Sequence, residues 1–468
     1  MTTSTVAIIG AGFSGTLLAL HALRRCPPAT RIVLIERGGQ FGRGQAYSTG
    51  NPSHLLNVPA ARMSAFHDRP ESFLQWLQDH AGNEAHGPGS FVPRGLYGAY
   101  LRSLLKEEVR REGRGRLLLV RGEVTDIDRA APRLTLALDR GRTIDADLAV
   151  LAVGSLPPAP PPVADPSFYD TPLYRPDPWA ADTLTDLDPT SPVLLIGTGL
   201  TAMDVVISLL DQGHRGPIHL LSRRGLLPRR HAAGPAPELE EAPELPGRLT
   251  VLTRYLRRES ARALAIGGNW QPVVDGLRPF SQDLWQCMSV EDRARFLRHL
   301  RPWWEVHRHR IAGAVADRIE AALACGQLDV QAGRLQRFET DAAGVTVHFN
   351  RRRTGEPASL TAARVVNCSG PGADYARTGH PLVRSLLARG VARPDAFRLG
   401  LDVTGTGALL SRDGAISRRI FAVGPATKGT FWEMTAVPDI RRQCETLARH
   451  LAALIKPAPA RPVEAAAD

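Results

Sequence analysis

Lysine is almost missing from this chain. Lys106, Lys428 and Lys456 are the only three among 58 basic residues, so arginine carries nearly all of the formal charge of +11. The arginines are dispersed and no motif interleaves them with aromatics, which describes a solvated basic surface and gives no reason to expect a nucleic-acid partner. Cysteine is equally sparse: Cys26, Cys287, Cys325, Cys368 and Cys444 all stand alone. Without a CxxC pair there is no dithiol relay, no zinc spacing and no disulfide framework, and no metal is expected. Apolar runs of membrane-spanning length are absent too. Only MTTST precedes the first apolar strand, so a cytoplasmic protein without a targeting segment is expected. The sequence carries no signal of oligomeric state.

Glycine is plentiful, and its placement is informative. Val6–Ile9 is a short apolar run followed by Gly10, Gly12 and Gly15 in GxGxxG spacing, then by an apolar helix ending near Arg25. Such a turn needs its first glycine for tightness, its second for backbone approach to a pyrophosphate, and its third for helix–strand packing. The helix N-terminus supplies free N–H groups to the phosphates. The next strand, RIVLIER, delivers Glu36, placed to accept hydrogen bonds from ribose hydroxyls.

The plan recurs at Val193–Ile196, with Gly197, Gly199 and Ala202, and a helix from about Thr201 to Leu210. Aligning IVLIER with IHLLSR puts Ser222 where Glu36 stands, with Arg223 and Arg224 following. Losing the acid and gaining two guanidiniums favours a 2′-phosphate, hence NADPH rather than NADH, the alternative being two solvated surface arginines. The stretches after each motif also echo one another. Strand, hairpin strands and an apolar strand end at Gly154 in the first half and Gly370 in the second. A repeat of about 170 residues is too long for a solenoid and means two dinucleotide-binding domains of one design.

This arrangement resembles the flavoproteins of the glutathione-reductase fold, an α/β architecture of two Rossmann-like domains in which the FAD domain is interrupted by the NAD(P)H domain. The resemblance implies a first FAD part over 1–155, a proline-rich linker over 156–192 and an NAD(P)H domain over 193–365. A helical insertion at about 235–326, a second FAD part over 366–455 and a disordered tail over 456–468 complete the expected order. It implies FAD contacts from Gly10, Gly12, Phe13, Ser14, Gly15, Glu36, Arg37, Val124, Gly154, Gly424, Thr435 and Ile440. Nucleotide contacts are implied for Gly197, Gly199, Leu200, Thr201, Arg223 and Arg224. The usual Gly-Asp of the closing motif is here Gly424-Pro425, so backbone near Gly424 and the helix start at about Thr435–Ile440 must take over that contact.

The stretches FGRGQAYSTGNPSHLLNVPAARMSAF, GTGLTAMD, RPWWEVHRHR and GTFWEMTAVPDIR look more narrowly like a monooxygenase-like branch that includes FAD-dependent urate hydroxylase. The turn-rich segment from Gly42 to Met63 reads as a loop over the cofactor. By resemblance it places Arg43, Gln45, Tyr47 and Asn57 near FAD, and Arg62 and Met63 near flavin or substrate. Trp303, Trp304, His307, Arg308, His309 and Arg310 in the insertion are the other substrate candidates, able to stack on a ring and bind anionic oxygen. His307 and Arg310 are three apart and so are expected on one helix face.

With no cysteine pair to take electrons from the flavin, the acceptor is oxygen or an outside carrier. The leading expectation is an NAD(P)H-consuming monooxygenase. It would hydroxylate a small nitrogenous or aromatic substrate through a flavin C4a-hydroperoxide, urate being the best single guess. A reductase or oxidase without oxygen insertion and a non-catalytic flavin-binding module are the alternatives. No residue is singled out as catalytic. The linker lacks a Baeyer–Villiger signature: Asp170 and Tyr174 stand where glycine and histidine belong, and Trp179 falls one residue late.

Overall fold

Strands buried on both faces need helices on both sides, and two separate sets of them are found here. The computed structural model describes residues 3–80, 86–232, 248–342 and 344–455. The expected tail over 456–468 and the start of the insertion lie outside these residues. Thr5–Ile9, wholly buried, pairs in parallel with Arg31–Glu36 on one side and Leu148–Leu151 on the other. Leu117–Arg121 extends the sheet past Arg31–Glu36. Ile416–Ala422 extends it in parallel past Leu148–Leu151, with Ala408–Leu410 antiparallel at the edge. The chain therefore leaves this sheet after Leu151 and rejoins it near residue 408. A separate antiparallel meander, Val124–Asp128, Leu134–Leu138 and Thr143–Ala146, stands beside it.

The second sheet centres on Val193–Ile196, flanked in parallel by Ile218–Ser222 and Arg364–Asn367. Ile218–Ser222 continues to the long strand Leu328–Asp341, which turns back through Gly344–Arg351 and Pro357–Ala362. The repeat read in the sequence is visible here, except that the meander of the second half is fused to its parent sheet. Both sheets are mixed α/β layers of Rossmann type.

Two boundaries and the linker's role differ from the sequence reading. Arg364–Asn367 still pairs within the second sheet, so the return to the first lies beyond residue 367 rather than at 366. Helix Gly313–Ala324, expected within the insertion, packs its Val315, Ala316, Ile319 and Ala322 into the second core against Leu200–Asp211. Insertion helices and core helices share one apolar period, so periodicity could not separate them. The proline-rich linker is not only a spacer. Its Tyr174–Arg175 forms an edge strand beside Arg364–Asn367, with Phe168 and Tyr174 buried in the third apolar cluster.

Candidate functional site

Both glycine turns open at the C-terminal edges of their sheets, where ligands of open α/β folds bind. Gly10 has φ +102°, and a Cβ there would lie 2.3 Å from the Ala152 carbonyl oxygen; on Gly15 it would lie 1.8 Å from the Gly10 oxygen. No side chain could replace either. Gly12 caps helix Phe13–Arg25 without a side-chain hydrogen bond to its first amides, and no acid stands in the first turn. Those donors are left for an anion. Glu36 reaches into the turn, its Oε2 accepting from the Ala11 N–H at 2.8 Å and its Oε1 from Gly38 at 3.1 Å. Two hydrogen bonds leave the carboxylate free lone pairs for ribose hydroxyls.

The loop after Glu36 folds back on this turn. A Cβ on Gly44 would lie 3.0 Å from the Gly12 Cα. Arg43 presents a buried Nε with no partner, an orphan suited to an acceptor from a bound group. Tyr47 packs edge-on to Phe13 and Tyr97. Gly154 faces open space with φ +71°, its carbonyl accepting from the Tyr375 hydroxyl at 2.6 Å. Open glycines, unpaired helix amides and a buried orphan guanidinium on one edge fit the diphosphate and ring of FAD.

The second turn repeats the cradle. Gly197 has φ +117° with a would-be Cβ 2.3 Å from the Cys368 oxygen, while a Cβ on Gly199 would meet nothing within 4 Å. Helix Leu200–Asp211 also begins without a side-chain cap or an acid in its first turn. Ser222 accepts from the Thr198 hydroxyl at 3.0 Å, in the place where Glu36 meets Ala11. Arg223 and Arg224 follow on the rim, and Arg352 joins them by donating to the Arg223 carbonyl at 3.2 Å. None of the three has a carboxylate partner among the described residues.

Other expected residues fall elsewhere. The segment after Tyr47 runs to the seam between the sheets. His54 Nε2 lies 2.9 Å from Ser208 Oγ, Asn51 donates to Asp211 at 2.9 Å, and the Asn57 carbonyl meets His231 Nε2 at 3.0 Å. Burial pushes the His231 imidazole down to about 4, with Arg310 adding to the effect. Arg94 Nη1 crosses the same seam to Asp204 at 2.6 Å. Gln45 is exposed and faces Asp177 of the linker; Arg62 is exposed, and Met63 belongs to the first core. Arg37 is paired with Glu123 at 3.7 Å, Val124 and Ile440 are core residues, and Thr435 is exposed.

The insertion folds as helices Leu249–Ala265, Gln271–Gly276, Ser281–Cys287, Val290–Arg295 and Arg301–Arg308. It docks on the segment that follows Ala422. Ile416–Ala422 runs parallel to Thr5–Ile9 one strand removed, so residues 424–436 leave from the Gly10 edge. Gly424 touches Ser14 there: a Cβ on it would lie 2.3 Å from Ser14 Oγ. Polar anchors hold the insertion to this segment and to the helix that follows it. Trp285 Nε1 donates to the Gly429 carbonyl at 2.9 Å, Arg278 pairs with Asp439 at 3.1 Å, and Trp304 Nε1 donates to Glu433 at 2.6 Å.

Glu433 is 4 % exposed and holds φ +61°, a strained conformation for a side-chain-bearing residue. Arg308 completes its pairing at 3.3 Å. Beside it, burial and the Arg308 guanidinium hold the His309 imidazole far below its usual range, hence neutral. Lys428 lies over the Trp432 ring at 5.2 Å, and burial with the nearby Arg301 lowers its ammonium to about 8.

Of the insertion candidates, Trp304, Arg308 and His309 thus meet this segment. Trp303 and His307 do not: they lie one turn apart on the opposite face, His307 Nδ1 on the Trp303 carbonyl at 2.7 Å and its ring against Trp270. Helix Arg301–Arg308 ends before Arg310, which therefore does not share a helix face with His307. Arg310 instead pairs with both oxygens of Asp275, at 2.7 and 2.6 Å. Sequence reasoning missed Glu433, Lys428, Arg278, Asp204 and Arg94. The rarity of lysine was the one available pointer to Lys428.

Residues 7–156 match a family model described as FAD-NAD(P)-binding. No curated protein matches. Among solved structures, the chain is similar to ornithine hydroxylase from Pseudomonas aeruginosa, at 14% identity over 97% of this chain and 100% of that one, with a TM-score of 0.66. Ornithine N-hydroxylase from Kutzneria sp. 744, solved with reduced FAD, NADP+ and L-ornithine, gives 15% identity over 97% and 99%, with a TM-score of 0.63. Thioredoxin reductase from Lactococcus lactis gives 12% over 96% and 98%, with a TM-score of 0.51. The chain thus joins an FAD-NAD(P)-binding domain to a second Rossmann-type domain, in a fold it shares with flavoprotein monooxygenases and reductases.

Proposed function

We propose that this protein is an FAD-dependent, NADPH-consuming monooxygenase that hydroxylates a small nitrogenous or aromatic substrate, with urate the first compound to test. The observation that carries the reading is the pair of glycine turns, each opening on an uncapped helix at the edge of its own sheet. The first meets an acid and the second a rim of arginines that have no carboxylate partner among the described residues. FAD bound at the first turn would accept hydride from the nicotinamide and pass electrons on to oxygen.

The chain's own residues hold and enclose. Glu36 receives ribose hydroxyls, Gly10–Gly15 admit the diphosphate, and Arg223 and Arg224 select the 2′-phosphate. The insertion, anchored through Trp285, Arg278 and Trp304, keeps water from the reacting edge. A disulfide reductase of this fold needs two thiols side by side, whereas the five cysteines are single and unpaired. The likeness in fold to hydroxylases of ornithine supports the same reaction class and leaves the substrate to this chain's own residues.

The test is to purify the protein, measure bound FAD, and follow NADPH oxidation and oxygen uptake against a substrate panel including urate. Substrate-stimulated oxygen consumption with a hydroxylated product supports the proposal. Electron transfer only to dyes or quinones would make it a reductase, and a colourless protein binding neither nucleotide would make it an interaction module.

A further inference from the structure

We infer that Arg352, on the hairpin turn after Gly344–Arg351, binds the 2′-phosphate of NADPH beside Arg223 and Arg224 and so helps to set nucleotide preference. This rests on the NADPH reading and adds to it a residue from outside the strand-end motif. The two halves of the repeat supply the comparison. In each, the second strand ends opposite the third in the same register, Glu36 facing Arg121 and Ser222 facing Ala332. An antiparallel meander follows in both, and its second turn comes back to that edge. Arg142 donates there to the Arg121 carbonyl at 2.8 Å, and the Arg352 N–H to the Ala332 carbonyl at 2.8 Å.

What the turn carries is reversed in charge. Directly after the middle strand of the meander stands Asp139 in the first half, paired with Arg142 at 3.1 Å, and Arg352 in the second. The neighbouring exchange of Glu36 for Ser222 removes an acid from the same edge. Two positions far apart in sequence thus change in the direction that a phosphate in place of a ribose hydroxyl requires. Arg352 is also held against the cradle. Its Nη1 donates to the Arg223 carbonyl at 3.2 Å, and Ser222 Oγ ties that turn to the glycine loop by accepting from both Thr198 and Gly225 at 3.0 Å. One donor spent on a carbonyl leaves the other guanidinium N–H groups for phosphate oxygens. The acids of these strands are engaged, Asp329 by Gln331 at 2.6 Å and Glu339 by His348 at 2.8 Å. Even counting Glu356 of the same turn, Arg223, Arg224, Arg352 and Arg353 leave an excess of positive charge.

The experiment measures binding of adenosine 2′,5′-bisphosphate and of 5′-AMP to the FAD-loaded protein by calorimetry, since the two ligands differ only in the 2′-phosphate. Native protein, Arg352→Ala, Arg352→Gln, Arg353→Ala and Arg223→Ala are compared, with flavin content and unfolding temperature recorded for each. Arg352→Ala should weaken the bisphosphate by about fivefold or more and leave AMP unchanged. Arg352→Gln, which can still donate to the Arg223 carbonyl, should lose as much, because the charge is what is missing. Arg353→Ala should bind both ligands as the native protein does. Native affinity in Arg352→Ala would overturn the proposal, and native affinity in Arg352→Gln would reduce Arg352 to a brace for that carbonyl. Equal weakening of AMP, or an Arg353→Ala protein as weak as Arg352→Ala, would overturn it too. Arg223→Ala keeps the two readings apart. If it weakens the bisphosphate and Arg352→Ala does not, only the role of Arg352 falls, whereas a native protein that binds the bisphosphate no better than AMP removes the NADPH reading itself.

Discussion

Arg94 Nη1 lies 2.6 Å from Asp204 Oδ2, and this ion pair joins the first residue of helix Arg94–Arg116 to the helix that follows the second glycine turn. It fixes the two nucleotide cradles relative to each other. Both side chains are largely buried, and His54 and Asn51 add hydrogen bonds to the same helix.

Removing one partner should therefore cost more than a surface pair would. Asp204→Ala leaves a buried guanidinium unpaired and is expected to destabilise the protein by about 3 kcal/mol. The double variant Arg94→Met with Asp204→Leu should recover part of that loss. Denaturant titration of the three proteins checks both points, and equal stability of Asp204→Ala and the native protein would show that the seam is held by other contacts.

The glycines separate packing from ligand approach. Gly15→Ala forces a methyl group onto the Gly10 carbonyl and should yield a poorly folded, colourless protein. Gly199→Ala has open space and should retain its fold and its FAD, while the KM for NADPH rises because the methyl stands where the diphosphate approaches. Flavin content, unfolding temperature and NADPH kinetics distinguish the two variants.

Replacing Arg223 with alanine should raise the KM for NADPH about tenfold and leave that for NADH nearly unchanged, since only the 2′-phosphate differs. Equal effects on both nucleotides would move the 2′-phosphate site elsewhere.

Acid sensitivity follows from His21. Its ring is 4 % exposed, packs against Phe66, and is pushed down to about 4, mainly by burial. Below the ordinary value near 6.5 the unfolded chain takes up a proton that the folded one refuses. Stability should therefore fall as the pH drops from about 6.5 to about 4, with His21 contributing about 3 kcal/mol of the loss. Unfolding measured across that range for His21→Leu should show a shallower decline than the native protein.

Local signals were the legible ones. Strand, glycine turn, helix and terminal residue follow one another within a few positions, so both cradles, the exchange of Glu36 for Ser222 and the two-domain α/β design could be read before any coordinates. Relations across the fold could not. Glu433 meets Trp304 across 129 positions and Asp204 meets Arg94 across 110, with no period or spacing to announce them. Helix faces were legible only where the helix ends were: Trp303 and Trp304 are neighbours in sequence yet point apart, and Arg310 lies past the turn that would have aligned it with His307.

Anaerobic mixing of the purified yellow protein with NADPH probes the paired-cradle account most directly. Loss of the oxidised flavin absorbance, faster with NADPH than with NADH and slowed in Arg223→Ala, is the predicted result. A flavin that stays oxidised, or a protein that carries none, would contradict it.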